Sequence, residues 1–361
     1  MRGAGQGGPI RVATVGFQGF GNLGDEAILT GIEALLARPG VHVTTVFSGP
    51  QPDTIAAFPS ARRIVEPRHL PGLRALRALR RVDLLVLAGG GLFNDHWTGV
   101  VPRYAAWVLA ARLTGARVAW VGVGVGPIRR GWMRWLARLA ARASHVVLVR
   151  DAESVTILGS AGRARLIPDP SVFNLPPAEV PRAGLALIVR APVQEDAPLA
   201  ARLLAGLSAA IADAGSDAVV LTMAGEADRQ FSDALRRALE QRGVPGVEFD
   251  SLGPTPQLAL ARLSELSALI TVRLHGLLLA ALAGVPTVPI AYDAKVRVAA
   301  ERLGIGELVV PLDAASGPLL LEKLEAARSD DCQVTVRERL NAMRAEADEV
   351  GNAIRAAGAR R

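Results

Sequence analysis

Several shortages narrow the reading of this 361-residue chain before any motif is considered. It has one cysteine, Cys332, so neither an internal disulfide nor a cysteine-based zinc cluster can form. The five histidines (His42, His69, His96, His145 and His275) lack the HxH or HxxxH spacing of a metal site, and no metal or other cofactor is expected. Aromatic residues make up 4% and do not interleave with the basic ones, which argues against RNA or DNA as a partner. No apolar run of ~18 residues is free of charge, Gly and Pro, and the Gly-rich start Met1–Gly8 is followed by no apolar signal region. A soluble, cytoplasmic protein is expected. Lysine is scarce as well: of 41 Lys and Arg, only Lys295 and Lys323 are lysines.

What is abundant is the apolar half of the composition, arranged in a repeating rhythm. Ile10–Gly16 is an apolar run followed by a glycine loop and a helical pattern over Asp25–Arg38. Val41–Phe47, Leu84–Ala88, Val118–Val123 and Val146–Val149 read as further strands, with helical patterns at Arg103–Leu113 and Asp151–Leu158. Continuous β-branched runs alternating with amphipathic helices predict a parallel sheet covered on both faces. The proline-rich stretch Leu175–Pro181 ends this series, and strands at Leu185–Val189, Ala218–Thr222, Leu269–Val272 and Thr287–Ile290 begin another. The chain therefore reads as α/β, with two Rossmann-like doubly wound domains facing a central cleft. An N-terminal domain is placed at 9–176 and a C-terminal one at 182–330. A charged amphipathic helix over 334–361 is expected to pack across both.

Between Leu266 and Ile290 only two side chains are ionisable, Arg273 and His275, two apart where a strand gives way to a helix. A buried arginine needs an anionic partner, and no Asp or Glu stands near it in sequence. A bound anion is one candidate, with His275 beside it for proton transfer. A carboxylate from elsewhere in the fold is the other. Gly19-Phe-Gly-Asn-Leu-Gly24 matches the dinucleotide-binding G-x-G-x-x-G and follows a strand. Asp25 and Glu26 at the ensuing helix start would repel a pyrophosphate, however, and the second strand ends without an acid for the ribose. The glycines instead predict a tight cleft-lining turn, with Asp25 serving as helix N-cap or substrate contact. Gly89-Gly90-Gly91 and Asn94-Asp95 read as a second such turn.

Taken in order, Gly19-Phe-Gly-Asn-Leu-Gly-Asp-Glu-Ala-Ile-Leu29, Ala88-Gly-Gly-Gly-Leu-Phe-Asn-Asp95, Gly122-Val-Gly-Val-Gly-Pro127, Val149-Arg-Asp-Ala-Glu-Ser154 and Asp169-Pro170 carry a resemblance. Val272-Arg-Leu-His-Gly276, Gly284-Val-Pro286 and Tyr292-Asp-Ala-Lys-Val296 complete it. The set resembles the polysaccharide pyruvyltransferase family, CsaB-like members in particular, over roughly residues 10 to 300. Phe17-Gln18 departs from the aromatic pair expected there.

The resemblance implies a GT-B-like fold and transfer of a pyruvyl group from phosphoenolpyruvate to two hydroxyls of a sugar in a cell-wall or cell-surface polysaccharide precursor, forming a ketal. On that reading Arg273, Arg190 and Lys295 bind phosphoenolpyruvate and His275 moves the proton. Gly21, Asn22, Asp25, Gly90, Gly91, Asn94, Tyr292 and Asp293 contact the acceptor. Arginines alone can hold the phosphate, so no cofactor is required. A nucleotide-sugar glycosyltransferase of the same architecture is the alternative, and a non-enzymatic carbohydrate-binding protein a third reading. Basic helices at 72–81 and 131–143 carry Leu73, Leu76 and Leu79, and Trp132, Trp135, Leu136 and Leu139. Their apolar residues either cover the sheet or meet the inner face of a membrane, as a lipid-linked acceptor would favour.

Overall fold

The computed structural model describes residues 9–37, 39–49, 63–65, 70–96, 98–174, 176–177, 179–190, 197–214, 218–244 and 247–359. Leu175 and Ala178 of the proline-rich stretch, and Arg38 of the first helical pattern, lie outside them. Contacts divide the chain into two compact units. The first comprises 1–20, 25–174 and 344–361; the second comprises 21–24 and 175–343.

Unit 1 runs β1 (Ile10–Val15), α1 (Leu23–Leu36), β2 (Val41–Phe47), β3 (Arg63–Val65), α2 (Leu73–Leu79), β4 (Leu84–Phe93), α3 (Val100–Leu113), β5 (Arg117–Val125), α4 (Gly131–Ala143), β6 (Val146–Val149), α5 (Ala152–Leu158) and β7 (Arg165–Leu166). Its seven strands lie in the order β3-β2-β1-β4-β5-β6-β7, all parallel. Every residue of β4 from Leu84 to Gly90 is buried, as a parallel strand covered on both faces requires. Aromatic packing fills one side of the sheet: the Phe93 ring stacks 4.3 Å from Trp120, and Phe47 lies 4.4 Å from Trp107.

Unit 2 runs β8 (Ala183–Ile188), α6 (Ala197–Ala214), β9 (Ala218–Thr222), α7 (Gly225–Gln241), β10 (Glu248–Ser251), α8 (Pro256–Ser264), β11 (Leu266–Thr271), α9 (Leu274–Leu282), β12 (Thr287–Ala291), α10 (Ala294–Arg302), β13 (Val310–Pro311), α11 (Gly317–Arg328) and α12 (Asp330–Ala345). Its strands order β10-β9-β8-β11-β12-β13, again all parallel. In each unit the order reverses at a central pair, β1/β4 in the first and β8/β11 in the second. Connections there leave in opposite directions, so a crevice opens at the carboxyl ends of the pair.

Three local expectations change. Gly89-Gly90-Gly91 is not a turn after the strand: β4 continues through it to Phe93, with Gly90 opposite Val123. Gly89 and Gly90 carry φ of +49° and +75°, so glycine keeps the strand in register where another residue would be strained. The helix after Arg273 starts at Leu274, which puts His275 in its first turn. The described part of 334–361 holds two helices rather than one, the end of α12 and α13 (Ala347–Gly358). Buried positions Val336, Leu340, Met343, Val350, Ile354 and Ala357 keep one apolar period through the break, and no Pro or Gly marks it. The split is tertiary: α13 belongs to unit 1, where a Cβ on Gly358 would meet Ile10 at 2.9 Å, whereas α12 up to Met343 belongs to unit 2.

Candidate active site

In unit 2 the chemistry-bearing residues collect at the carboxyl ends of three neighbouring strands. Arg190 follows β8, Arg273 and His275 follow β11, and Tyr292, Asp293 and Lys295 follow β12. Adjacent parallel strands lie roughly 5 Å apart, so long side chains from these ends can meet. The Arg190 guanidinium stands 5.5 Å from the centre of the Tyr292 ring, a cation–π contact. Arg273 feels the charge of Arg190.

The strand-to-helix turn that presents Arg273 is held by Thr271, whose hydroxyl accepts the Arg273 N–H at 3.0 Å. A Cβ on Gly276 would fall 2.6 Å from that same hydroxyl, so glycine is what lets the helix start so close to the strand. From Gly276 to Leu282 every residue of α9 is buried, which fixes the helix all round and leaves Leu274 and His275 of its first turn partly exposed.

Arg273 has a protein partner. Its guanidinium is paired with Asp228, which is fully buried in the first turn of α7. The other oxygen of Asp228 accepts the backbone N–H groups of Met223 (3.1 Å) and Ala224 (2.9 Å), the back-bonding contact of a helix cap. A bound anion is thus not required to neutralise Arg273: of the two partners that local sequence left open, the carboxylate from elsewhere in the fold is present. Two guanidiniums nevertheless converge against a single carboxylate whose two oxygens are both engaged. Arg273 Nε is buried without a hydrogen-bond acceptor. Burial lowers the Arg273 pKa, Asp228 opposes that, and Arg190 adds to the lowering. The group of charges is therefore positive on balance, a condition for holding an anion.

The segment Gly21–Gly24 belongs to unit 2 by its contacts. Leu23 N–H donates to Met223 O at 3.0 Å, and Asn22 forms an antiparallel bridge with Ala224. Gly24 lies flat against the His275 ring: a Cβ there would stand 2.1 Å from Nδ1. Asn22 accepts the Gly24 N–H through its side chain at 3.3 Å, so the residue that caps α1 is Asn22 rather than Asp25. Asp293 likewise caps α10, accepting Lys295 N–H at 2.9 Å.

The remaining candidates lie in unit 1. An Asp25 carboxylate oxygen faces Gly90 so closely that a Cβ on Gly90 would fall 2.9 Å from it. Asn94 is folded onto its own turn, donating to Gly91 O at 2.6 Å and accepting His96 N–H at 3.2 Å. Beside Asp25, Glu26 is buried and accepts the Gly19 N–H at 2.6 Å. A carboxyl oxygen thus occupies the donor that a dinucleotide loop offers to phosphate. Burial pushes the Glu26 pKa up from 4.5 to about 8, against the pull of the Gly19 N–H and with help from the Asp25 charge. Among the described residues no group of three or more His, Cys, Asp or Glu converges as a metal site.

Sequence reasoning missed Asp228 and Gly24. Asp228 lies 45 residues from Arg273 and announces itself only as an acid in the first turn of a helix. Gly24 counted only as a motif glycine, and nothing local connects it to His275.

Comparison with known proteins follows this geometry. A family profile described as polysaccharide pyruvyl transferase matches residues 22–294, about three quarters of the chain. No curated protein sequence matches it. Among solved structures the chain is similar to Anabaena Alr3699/HepE in complex with UDP-glucose (11% identity, TM-score 0.61, 96% of this chain and 98% of that one). It is also similar to the UDP-GlcNAc 2-epimerases of Methanocaldococcus jannaschii (13%, TM-score 0.58, 89% and 93%) and Neisseria meningitidis (13%, TM-score 0.57, 96% and 98%). At such identities these likenesses establish the two-domain α/β fold of GT-B-type glycosyltransferases and epimerases.

Proposed function

The chain belongs to the polysaccharide pyruvyl transferase family, and from that premise we propose that it transfers the pyruvyl group of phosphoenolpyruvate to two hydroxyls of one sugar in a cell-surface polysaccharide precursor. The observation that carries this reading is the convergence of Arg190 and Arg273, with His275 in the first turn of α9, at neighbouring strand ends of unit 2. Phosphoenolpyruvate presents a carboxylate and a phosphate on a three-carbon frame. Guanidinium forks suit both groups, and Arg273 Nε supplies a buried donor for one of them. The N-terminal partial charge of α9 adds to the attraction. Lys295 contributes a point charge from the first turn of α10, and Tyr292 supports the Arg190 plane.

The reaction needs a proton at the vinyl carbon, attack of a sugar hydroxyl at C2 with loss of its proton, departure of phosphate, and attack of the second hydroxyl with loss of its own. Of the two protons released, one balances that taken up by carbon and the other leaves with phosphate. His275 is the proton carrier in this scheme, its ring orientation set by contact with Gly24. Gly21 and Asn22, with Asp25, Gly90 and Gly91, are assigned to the acceptor. Asn94 shapes its turn, and Asp293 starts a helix. The acceptor is a lipid-linked oligosaccharide, which places the enzyme at the cytoplasmic face of the membrane.

Phosphate release from phosphoenolpyruvate, measured with β-linked sugar acceptors, tests the assignment. His275→Ala is expected to lower kcat by about 10²–10⁴-fold. Arg190→Ala, which breaks no buried ion pair, should raise the phosphoenolpyruvate KM by roughly tenfold or more. Near-full activity of His275→Ala would overturn the proton-transfer role. Turnover of UDP-sugars in place of phosphoenolpyruvate would replace the reaction altogether.

A further inference from the structure

Helix α4 carries two apolar stripes, and the structure buries the one made of small residues. Met133, Ala137, Ala140 and Ala141 face the core of unit 1. Trp132, Trp135, Leu136 and Leu139 recur at i, i+3, i+4 and i+7, so they form one face of the helix. On that face Trp132 is 53% and Trp135 62% exposed. The tryptophans therefore do not cover the sheet. Helix α4 packs on α3 and α3 on α2, and these neighbours also expose a leucine each: Leu113 of α3 is 87% and Leu73 of α2 73% exposed.

The charge that α2, α3 and α4 carry has one sign. Residues 96–150 hold nine arginines and neither Asp nor Glu, and 70–82 hold Arg74, Arg77, Arg80 and Arg81 with no acid. Those four arginines are exposed, as are Arg129, Arg130 and Arg142 around the tryptophans. Arg134 and Arg138 reach back to the carbonyls of Ile128 and Ile157, bracing α4 rather than extending into solvent. Asp95, the nearest acid before this stretch, is engaged by the Arg129 and Arg130 N–H groups at 2.6 and 3.0 Å, which sets the start of the helix. The basic surface continues into a cavity of about 420 Å³ walled by Arg129, Arg130, His96 and Pro127 along with Asp95.

We propose that this face of unit 1, centred on Trp132 and Trp135, docks on an anionic lipid bilayer. Tryptophans rimmed by arginines match the two halves of such a surface: the rings enter at headgroup depth, and the cations meet the phosphates. No helix among the described residues is long and apolar enough to cross a membrane, so the contact is with the surface. The inference rests on the exposed face alone and does not depend on the reaction proposed above.

Sedimentation of the full chain with vesicles, in the absence of substrate, tests it. Binding is expected to phosphatidylcholine vesicles containing phosphatidylglycerol, not to phosphatidylcholine alone, and should weaken as salt screens the arginines. Trp132→Ser/Trp135→Ser should lower the partition coefficient by roughly tenfold or more with an unchanged unfolding midpoint. Absence of wild-type binding to the anionic vesicles overturns the proposal. So does equal partitioning of wild type and double variant. A dimer in light scattering that the double substitution dissolves, without vesicle binding, would assign the face to a second copy instead.

Discussion

The two units repeat one topology and fill its switch point with opposite chemistry. Between β1 and β4 the crevice of unit 1 presents acids: Asp25 against Gly90, and Glu26 buried with its pKa near 8. Between β8 and β11 the crevice of unit 2 presents guanidiniums, Arg190 and Arg273, only partly offset by the carboxylate of Asp228. A parallel sheet with reversed order makes a crevice wherever it occurs. What enters that crevice is decided by the few side chains at the strand ends. The contrast also explains why the glycine fingerprint that follows β1 need not bind a nucleotide: Glu26 already takes the Gly19 N–H.

The strongest way to break this contrast is to remove Asp228. Asp228→Ala strips the partner from a mostly buried guanidinium and frees two backbone N–H groups, so a loss of about 3–5 kcal/mol is expected in denaturant unfolding. A loss below 1 kcal/mol would mean that the pair contributes little and that Arg273 finds its compensation elsewhere. Next comes Gly24→Ala. Its Cβ cannot coexist with the His275 ring where it stands, and displacing a catalytic group by about 1 Å can cost 10²-fold in rate. Phosphate release should fall while the unfolding midpoint moves little; unchanged turnover would show that the His275 position is not critical.

The third test belongs to unit 1. Because the folded pKa of Glu26 lies near 8 against an ordinary 4.5, the unfolded chain loses this proton first as pH rises. Stability should therefore decline from about pH 4.5 to pH 8 and be unaffected by this group outside that window. Glu26→Gln should flatten the decline, seen as a smaller drop in Tm between pH 5 and pH 8 than in wild type. Parallel slopes would show that Glu26 is ionised in the folded protein, making the two crevices less different.

Much of the fold was legible because β-branched runs and 3.6-residue periods are local properties. The strand at Val41–Phe47 and the helix at 131–143 match their sequence readings residue for residue, and the helices read at Arg103–Leu113 and Asp151–Leu158 differ only at their starts, by three residues and one. Arg273 and His275 stood out as the ionisable pair in an apolar stretch, and both follow the end of β11, the strand next to the one that Arg190 follows. Asp228 was illegible because an ion pair across 45 residues leaves no trace in spacing. The two-helix C-terminus was illegible because its apolar period runs unbroken while its halves serve different units.

Sequence alone determined the alternation of elements, the absence of any disulfide within the chain, the one-signed charge of residues 96–150, and the ordered motifs by which the family is known. Each follows from composition or from periods shorter than one element. Tertiary structure decided which of two apolar stripes on α4 is buried, which acid answers Arg273, and that His275 rests on a glycine more than two hundred residues earlier. Those outcomes depend on which surfaces the packed sheets bring together, and no local period encodes that choice.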